Sequence, residues 1–293
     1  MIVVTTPTGQ IGSKIIPDLL AAGEQVRVIT RDPGRLASDI KGRVDIVQGS
    51  LDDSSTVSKA LHGAECLFWL VPPASLRTNN LKEHYLHFTR AACVAIISST
   101  IKRVVGVSSV GRGIANNAGP ISASHAMDAM IESTRVSYRA LWNGSFMENM
   151  LRVVQPIKQR GIFSSSARPD VKFPQVATHD IAARAANLLL DREWTGQGGF
   201  AVLGPEDLSY DDMATVLSDV LGIPVRFQQI SGEVQKERLL GLGASESFAQ
   251  GMVDALAEIS RGACSAEPRT ADNTTPTSFR QWCETVLKPA FMT

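Results

Sequence analysis

The sequence predicts an α/β chain, a doubly wound parallel sheet followed by a smaller C-terminal α+β lobe. Three observations predict it. Short, nearly unbroken apolar runs alternate with amphipathic stretches through the first half. Such runs, with no polar alternation, belong to strands buried on both faces, as in parallel sheets whose crossovers are helices. Near residue 150 the rhythm changes, and helical patterns dominate from there on.

The elements follow in order. Ile2–Thr5 is a short β-rich run, and Ile11, Ile15, Leu19 and Leu20 then recur at helical spacing up to Gly23. Val26–Thr30 is a second strand and Val44–Gln48 a third. Asp52-Asp53-Ser54-Ser55 offers a helix N-cap, with Val57 and Leu61 on the buried side and Gly63 at the end. Cys66–Val71 is an apolar strand stopped by Pro72-Pro73. A long helix fills Asn80–Thr100, and Val104–Ser108 is the next strand. Later come short strands near Phe200–Leu203 and Val225–Gln229, with a helix between them, capped by Ser209 and ended by Gly222. Ser265–Ser278 reads as a loose loop, and the last helix, Phe279–Leu287, is expected to stop before Pro289.

Composition narrows the function. Of 293 residues, 44% are hydrophobic and 20% charged, with 29 Lys plus Arg against 29 Asp plus Glu. That balance argues against nucleic acid and against an electrostatic membrane anchor. The longest uncharged apolar stretch, Ala91–Ile101, is far too short to span a bilayer. No signal peptide is visible ahead of the first strand, and Cys66, Cys93, Cys264 and Cys283 form no metal-binding spacing. The expectation is a cytoplasmic protein with reduced thiols and no metal, leaving a homo-oligomer open.

The first turn, TPTGQIG, carries the leading clue. A dinucleotide loop wants glycines at three slots, and here they read Thr6, Gly9 and Gly12. Gly9 keeps the slot where a pyrophosphate approaches, and Gly12 the slot where helix packs on strand. Thr6 takes the bend slot, where positive φ costs a β-branched residue, so the turn is expected to be looser or to keep φ negative. Arg31 ends the second strand, where a cation pairs the 2′-phosphate of NADP and an acid would accept from the 2′-OH of NAD. Asp32, followed by Pro33, instead starts a turn.

With these residues in place, the chain resembles the NmrA-like branch of atypical short-chain dehydrogenases/reductases. TPTGQIG, VRVITRDPGRL, VDIVQGSLDD, HAMDAMIESTRVSYRALWNGSFMENM and GPEDLSYDDMATVLSDVLGIPVRF carry the resemblance in order along nearly the whole chain. It is closest in kind to the quinone-reductase and triphenylmethane-reductase-like members. The resemblance implies a Rossmann-type core over 1–150. Residues 151–293 would then form mainly a substrate-side lobe, with some segments returning to the sheet. It also implies NADP(H) held by Thr6, Thr8, Gly9, Gln10, Ile11, Gly12, Arg31, Ser50, Leu51, Leu70, Val71, Pro72 and Ser108. Two departures stand out: Thr6 replaces the usual first Gly, and Ser50 replaces an Asp that commonly contacts adenine.

Short-chain reductases usually protonate a carbonyl with a Tyr-x-x-x-Lys pair. The segment GPISASHAMDAMIES, where that pair belongs, has neither residue, and His125 lies nearest the vacant slot as a candidate ribose ligand or proton donor. A quinone or cationic dye accepts hydride with little acid catalysis, so positioning supplies much of the rate. Pro73, Val110, Phe146, Met147 and Asn149 are the candidate acceptor wall, with Trp142 beside them. The expected activity is NADPH-dependent reduction of a quinone or polycyclic aromatic acceptor. The rival is a non-catalytic NADP(H)-binding redox sensor acting through a protein partner.

Overall fold

The computed structural model describes residues 1–293. Its strands are β1 (Ile2–Val4), β2 (Val26–Thr30), β3 (Asp45–Gln48), β4 (Cys66–Trp69), β5 (Arg103–Ser109) and β6 (Ser137–Asn143). They continue as β7 (Ser145–Phe146), β8 (Ile162–Ser165), β9 (Phe173–Val176), β10 (Gln197–Val202), β11 (Asp207–Leu208) and β12 (Arg226–Gln229). The helices are α1 (Gly12–Ala21), α2 (Ser38–Lys41), α3 (Ser54–Leu61), α4 (Leu81–Ile97), α5 (Pro120–Glu132) and α6 (Val154–Arg160). After them come α7 (Thr178–Leu190), α8 (Tyr210–Leu221), α9 (Gly232–Gly241), α10 (Glu246–Ser260), α11 (Phe279–Trp282) and α12 (Lys288–Met292).

Seven strands form one parallel sheet in the order β10-β6-β5-β4-β1-β2-β3. Chain order reverses between β1 and β4, so a crevice opens at their carboxyl ends. One face, from Val3, Leu67, Val104 and Tyr138, packs on Val57, Ala92, Met127 and Ile131 of α3, α4 and α5. The other, from Ile2, Val4, Phe68, Val105 and Leu141, packs on Ile15 and Leu19 of α1 and Ile181 and Leu189 of α7. The lobe has its own core around Phe163, Phe173, Met213, Leu217 and Trp282. Two small sheets, β11-β9-β7 and β12-β8, run through it. No helix is long and apolar enough to cross a membrane.

The capping signals act as expected. Asp53 caps α3 and Ser209 closes a capping box with Asp212 on α8, while Asn80, expected inside its helix, caps α4 instead. Two larger expectations fail. The C-terminal helix runs past Leu287: Cys283–Leu287 loosens into a π-type turn, and Pro289 falls in the first turn of α12. Proline's missing N–H is harmless there. The stretch 265–278 is not loose. Leu203 bridges Thr274, Thr275 N–H donates to Leu203 O at 2.7 Å, and Arg269 pairs with Asp207.

Candidate functional site

Because all seven strands are parallel, their carboxyl ends share one edge. The loop from β1 to α1 lies at the centre of that edge. Thr6 has φ +47°, so of the two expectations, a looser turn or a negative φ, the second fails. Strain of this kind costs on the order of 1–3 kcal/mol and persists only where the surroundings over-determine it. They do so here. The twist turns the Thr6 carbonyl into the loop, where Gly9 N–H donates to it at 2.9 Å. A Cβ on Gly12 would overlap that carbonyl and lie 2.9 Å from its carbon, so Gly12 is fixed by the turn itself. Gly9 is different: a Cβ there would meet only Thr6, at 3.2 Å and beyond. Gly9 is half-buried, and no residue but Thr6 crowds that position. Thr6 Oγ1 is buried without a partner. Thr8 and Gln10 are exposed, while Ile11 is buried in the core.

Thr5 extends the ladder past the last paired residue. Its hydroxyl donates to Phe68 O at 3.1 Å and accepts from Leu70 N–H at 2.8 Å. This ties the end of β1 to the segment Leu70-Val71-Pro72, of which Val71 is buried and Leu70 and Pro72 half-buried. His84 of α4 holds the same segment, its Nε2 lying 2.8 Å from Pro72 O. At the end of β2, Arg31 is exposed, its guanidinium has no ion-pair partner, and its carbonyl accepts from Gln48 at 3.3 Å. Asp32 is spent on the following turn, accepting from Gly34 N–H at 2.9 Å. Ser50 is half-buried and Leu51 buried after β3. The loop therefore fits a dinucleotide: bare backbone at Gly9, an uncapped α1 N-terminus and a free cation at the end of β2.

Beneath the end of β5 the polar groups are already engaged. Ser108 donates to Asp128 at 2.6 Å, and Tyr138 donates to the other carboxylate oxygen at 2.6 Å. Ser124 Oγ lies 3.4 Å from Ser108 Oγ. Burial pushes the Asp128 carboxyl up to about 6, against the pull of those two donors and of Arg112. The Tyr138 phenol is pushed well above its ordinary value by burial and by Asp128. Its ring lies over Gly106, where a Cβ would sit 2.8 Å from the ring carbon Cε2. Ser108 thus turns its hydroxyl away from the crevice, leaving only its backbone there. His125 sits on α5 with Nε2 2.9 Å from Ser109 O, which as an acceptor calls for an N–H on that nitrogen. Burial first, then Arg112, holds its pKa low, so the ring is neutral and its one N–H is committed.

The sequence-named wall is split. Phe146 is half-buried on β7, opposite Val176, and packs against the α1–α7 side of the sheet. Met147 is fully buried in the lobe core and presents no surface to the crevice, and Val110 is 1% exposed among Ala201, Leu203 and Cys264. Pro73 and Asn149 are exposed. Asp128 is not among the sequence-named candidates, and Tyr138 stands out in the sequence only as a tyrosine with no Lys four residues on. The available signal was a polar pair, Ser124 and Asp128, at helical spacing on the same side as Met127 and Ile131. No group of three or more His, Cys, Asp or Glu side chains is disposed to hold a metal ion.

Known proteins resemble this chain in sequence and in fold. The NAD(P)H azoreductase of Xenophilus azovorans is 28% identical over 256 residues, 86% of this chain and 85% of its own. Quinone oxidoreductase 2 of Escherichia coli is 22% identical over 92% of both chains. The structure of an NADPH-dependent quinone oxidoreductase from Escherichia coli, complexed with NADPH, superposes with a TM-score of 0.82 at 21% identity. It covers 98% of this chain and 100% of that one. The Citrobacter triphenylmethane reductase complexed with NADP(H) gives 0.78 at 21% identity, over 100% and 99%. Residues 1–263 match the NmrA-like family as a whole, and the chain belongs to that family.

Proposed function

We propose that this protein is an NADPH-dependent reductase of a quinone or another flat, conjugated aromatic acceptor. One observation carries the cofactor half: the bare backbone at Gly9 and the unpaired Arg31 lie on one edge of the sheet. The kinship with an azoreductase and a quinone oxidoreductase supports the acceptor class. When bound, NADPH supplies the hydride. The chain's residues do the rest. Gly9 and the N–H groups opening α1 receive the pyrophosphate, and Arg31 pairs the 2′-phosphate. Thr5 and His84 hold the Leu70–Pro72 segment beside the nicotinamide end. Phe146 offers a face for a planar ring.

Acid catalysis is not built in. Tyr138 is 0% exposed and bound to Asp128, and the one N–H of the neutral His125 is bound to Ser109. An acceptor whose reduced form spreads its negative charge needs no strong acid beside it, and its proton comes from water. Azo and quinone acceptors share that property, and a cationic triphenylmethane dye is neutralised by the hydride itself and needs no proton. A simple ketone has neither advantage, and it should be reduced far more slowly.

The test is steady-state NADPH oxidation with a panel of small quinones, azo dyes and ketones. Turnover with the conjugated acceptors and not the ketones is expected. Tight NADPH binding with no turnover on any acceptor would leave the redox-sensor reading in its place. Arg31→Ala should weaken NADPH by about 1–3 kcal/mol while leaving NADH nearly unchanged. Equal weakening of both cofactors would remove Arg31 from the site.

A further inference from the structure

A second polar cluster joins the cofactor helix to the acceptor wall. Glu148, 6% exposed, stands two residues after Phe146. Both its carboxylate oxygens lie 3.1 Å from Thr178 N, and Oε1 accepts the Thr178 hydroxyl at 2.5 Å. The N-cap residue of α7, Ala177, has no side chain able to cap, so Glu148 caps that helix from another part of the chain. Lys14, in the first turn of α1, donates to Thr178 Oγ1 at 2.6 Å and lies 3.6 Å from Glu148 Oε1. Next to it, Ser13 Oγ donates to Gly9 O at 2.7 Å, which ties the same turn of helix to the glycine loop.

The connections run in one direction. The Gly9 loop is fastened to α1 by Ser13, α1 to Thr178 by Lys14, and Thr178 to Glu148. Glu148 lies in the 3-10 turn, Met147–Val153, that starts directly after Phe146, and Phe146 itself is held by the pairing of β7 with β9 opposite Val176. A helix cap alone would need only a local Ser, Thr or Asp. Here a carboxylate and a lysine from distant segments meet instead, and a buried carboxylate is stable only with such donors around it.

We propose that Lys14, Thr178 and Glu148 form a positioning latch that sets Phe146 relative to the cofactor loop. Ordering of the loop by its ligand is thereby passed to the acceptor wall. This rests on the reductase reading above. None of the three residues touches the reacting atoms. They act through Phe146.

Lys14→Met and Glu148→Gln test the latch, with Lys14→Arg as the conservative control. In the unaltered protein, NADPH should slow amide hydrogen exchange both in residues 6–12 and in residues 145–148. In Lys14→Met the first protection should persist and the second should vanish. NADPH affinity should stay within about twofold while KM for a flat quinone rises about tenfold, because the lost interaction orients the acceptor rather than the cofactor. Lys14→Arg should recover most of both. A lower melting temperature with normal KM and normal protection of residues 145–148 would overturn the latch and leave a helix cap. Should the unaltered protein bind NADPH and reduce nothing, the reductase reading falls, and the exchange measurement still judges the latch. Should NADPH not bind, the ligand-free proteins decide: faster exchange at Phe146 in both variants supports the latch, and unchanged exchange overturns it.

Discussion

At the end of β1 the chain holds a strained threonine and bare backbone, whereas beneath the end of β5 it packs three polar side chains onto one another. Thr6 keeps φ at +47° with its hydroxyl unsatisfied, and Gly9 beside it is half-buried bare backbone. Ser108, Asp128 and Tyr138 satisfy each other completely at 2.6 Å contacts. The first region is poised for something from outside, and the second is closed. In reductases that use an acid on this helix, the closed region would be the working one. In the function proposed above the two exchange importance, and binding at the open edge does the work.

The comparison is most sharply broken at Gly9. Gly9→Val should cost NADPH affinity by about 100-fold or more, since its Cβ would crowd the Thr6 carbonyl at 3.2 Å and displace the loop that receives the pyrophosphate, with a smaller fall in melting temperature. Calorimetric titration reads the first and thermal melting the second. Undiminished affinity would place the cofactor elsewhere.

Gly106→Ala attacks the closed region. Its Cβ displaces the Tyr138 ring and strips Asp128 of a donor, so stability should fall by about 2–3 kcal/mol in urea melts. NADPH affinity should hold. A neutral result would mean that the ring moves freely.

Asp128 adds a pH signature of similar size. Its folded pKa of about 6 lies above the ordinary 3.8. A raised carboxyl gives stability that is complete below the ordinary value and lost as pH rises through the folded one. Between about pH 4 and pH 7 the protein should therefore lose on the order of 3 kcal/mol relative to Asp128→Asn. Parallel stability curves for the two proteins would mean that Asp128 is not buried as described.

The smallest effect belongs to Thr6. Thr6→Gly relieves the positive φ but frees the unfolded chain, so a net gain of about 0.5–1 kcal/mol is expected, with NADPH binding retained. A loss of stability would show that the threonine side chain contributes more than its strain costs.

The open region was legible in the sequence and the closed one was not, for a physical reason. The places of Gly9, Gly12 and Arg31 are local matters of backbone and strand end, which spacing alone fixes. Asp128 acts through Ser108 and Tyr138, which reach it from two strands. Only the sheet order brings β5 and β6 side by side under α5. The same holds for Glu148, whose partners are on α1 and α7. The two-residue strands β7 and β11 escaped notice because so short a segment carries no pattern that separates a strand from a loop. Thr6 was read correctly as the odd slot, but its conformation is set by the carbonyl's partners, not by its own preference.

The outermost strand of the large sheet, β10, is contributed by residues 197–202 and pairs with β6 across six positions. A chain leaving the ribosome has therefore made β6 well before the segment that covers its edge exists. Until then β6 carries an open row of amide and carbonyl groups, a template for pairing with another copy. Cutting the gene after the last cofactor-side strand would make that transient state permanent. The nucleotide-binding half is thus defined by sequence order only on paper. As a physical object it closes only once the later half has returned to it.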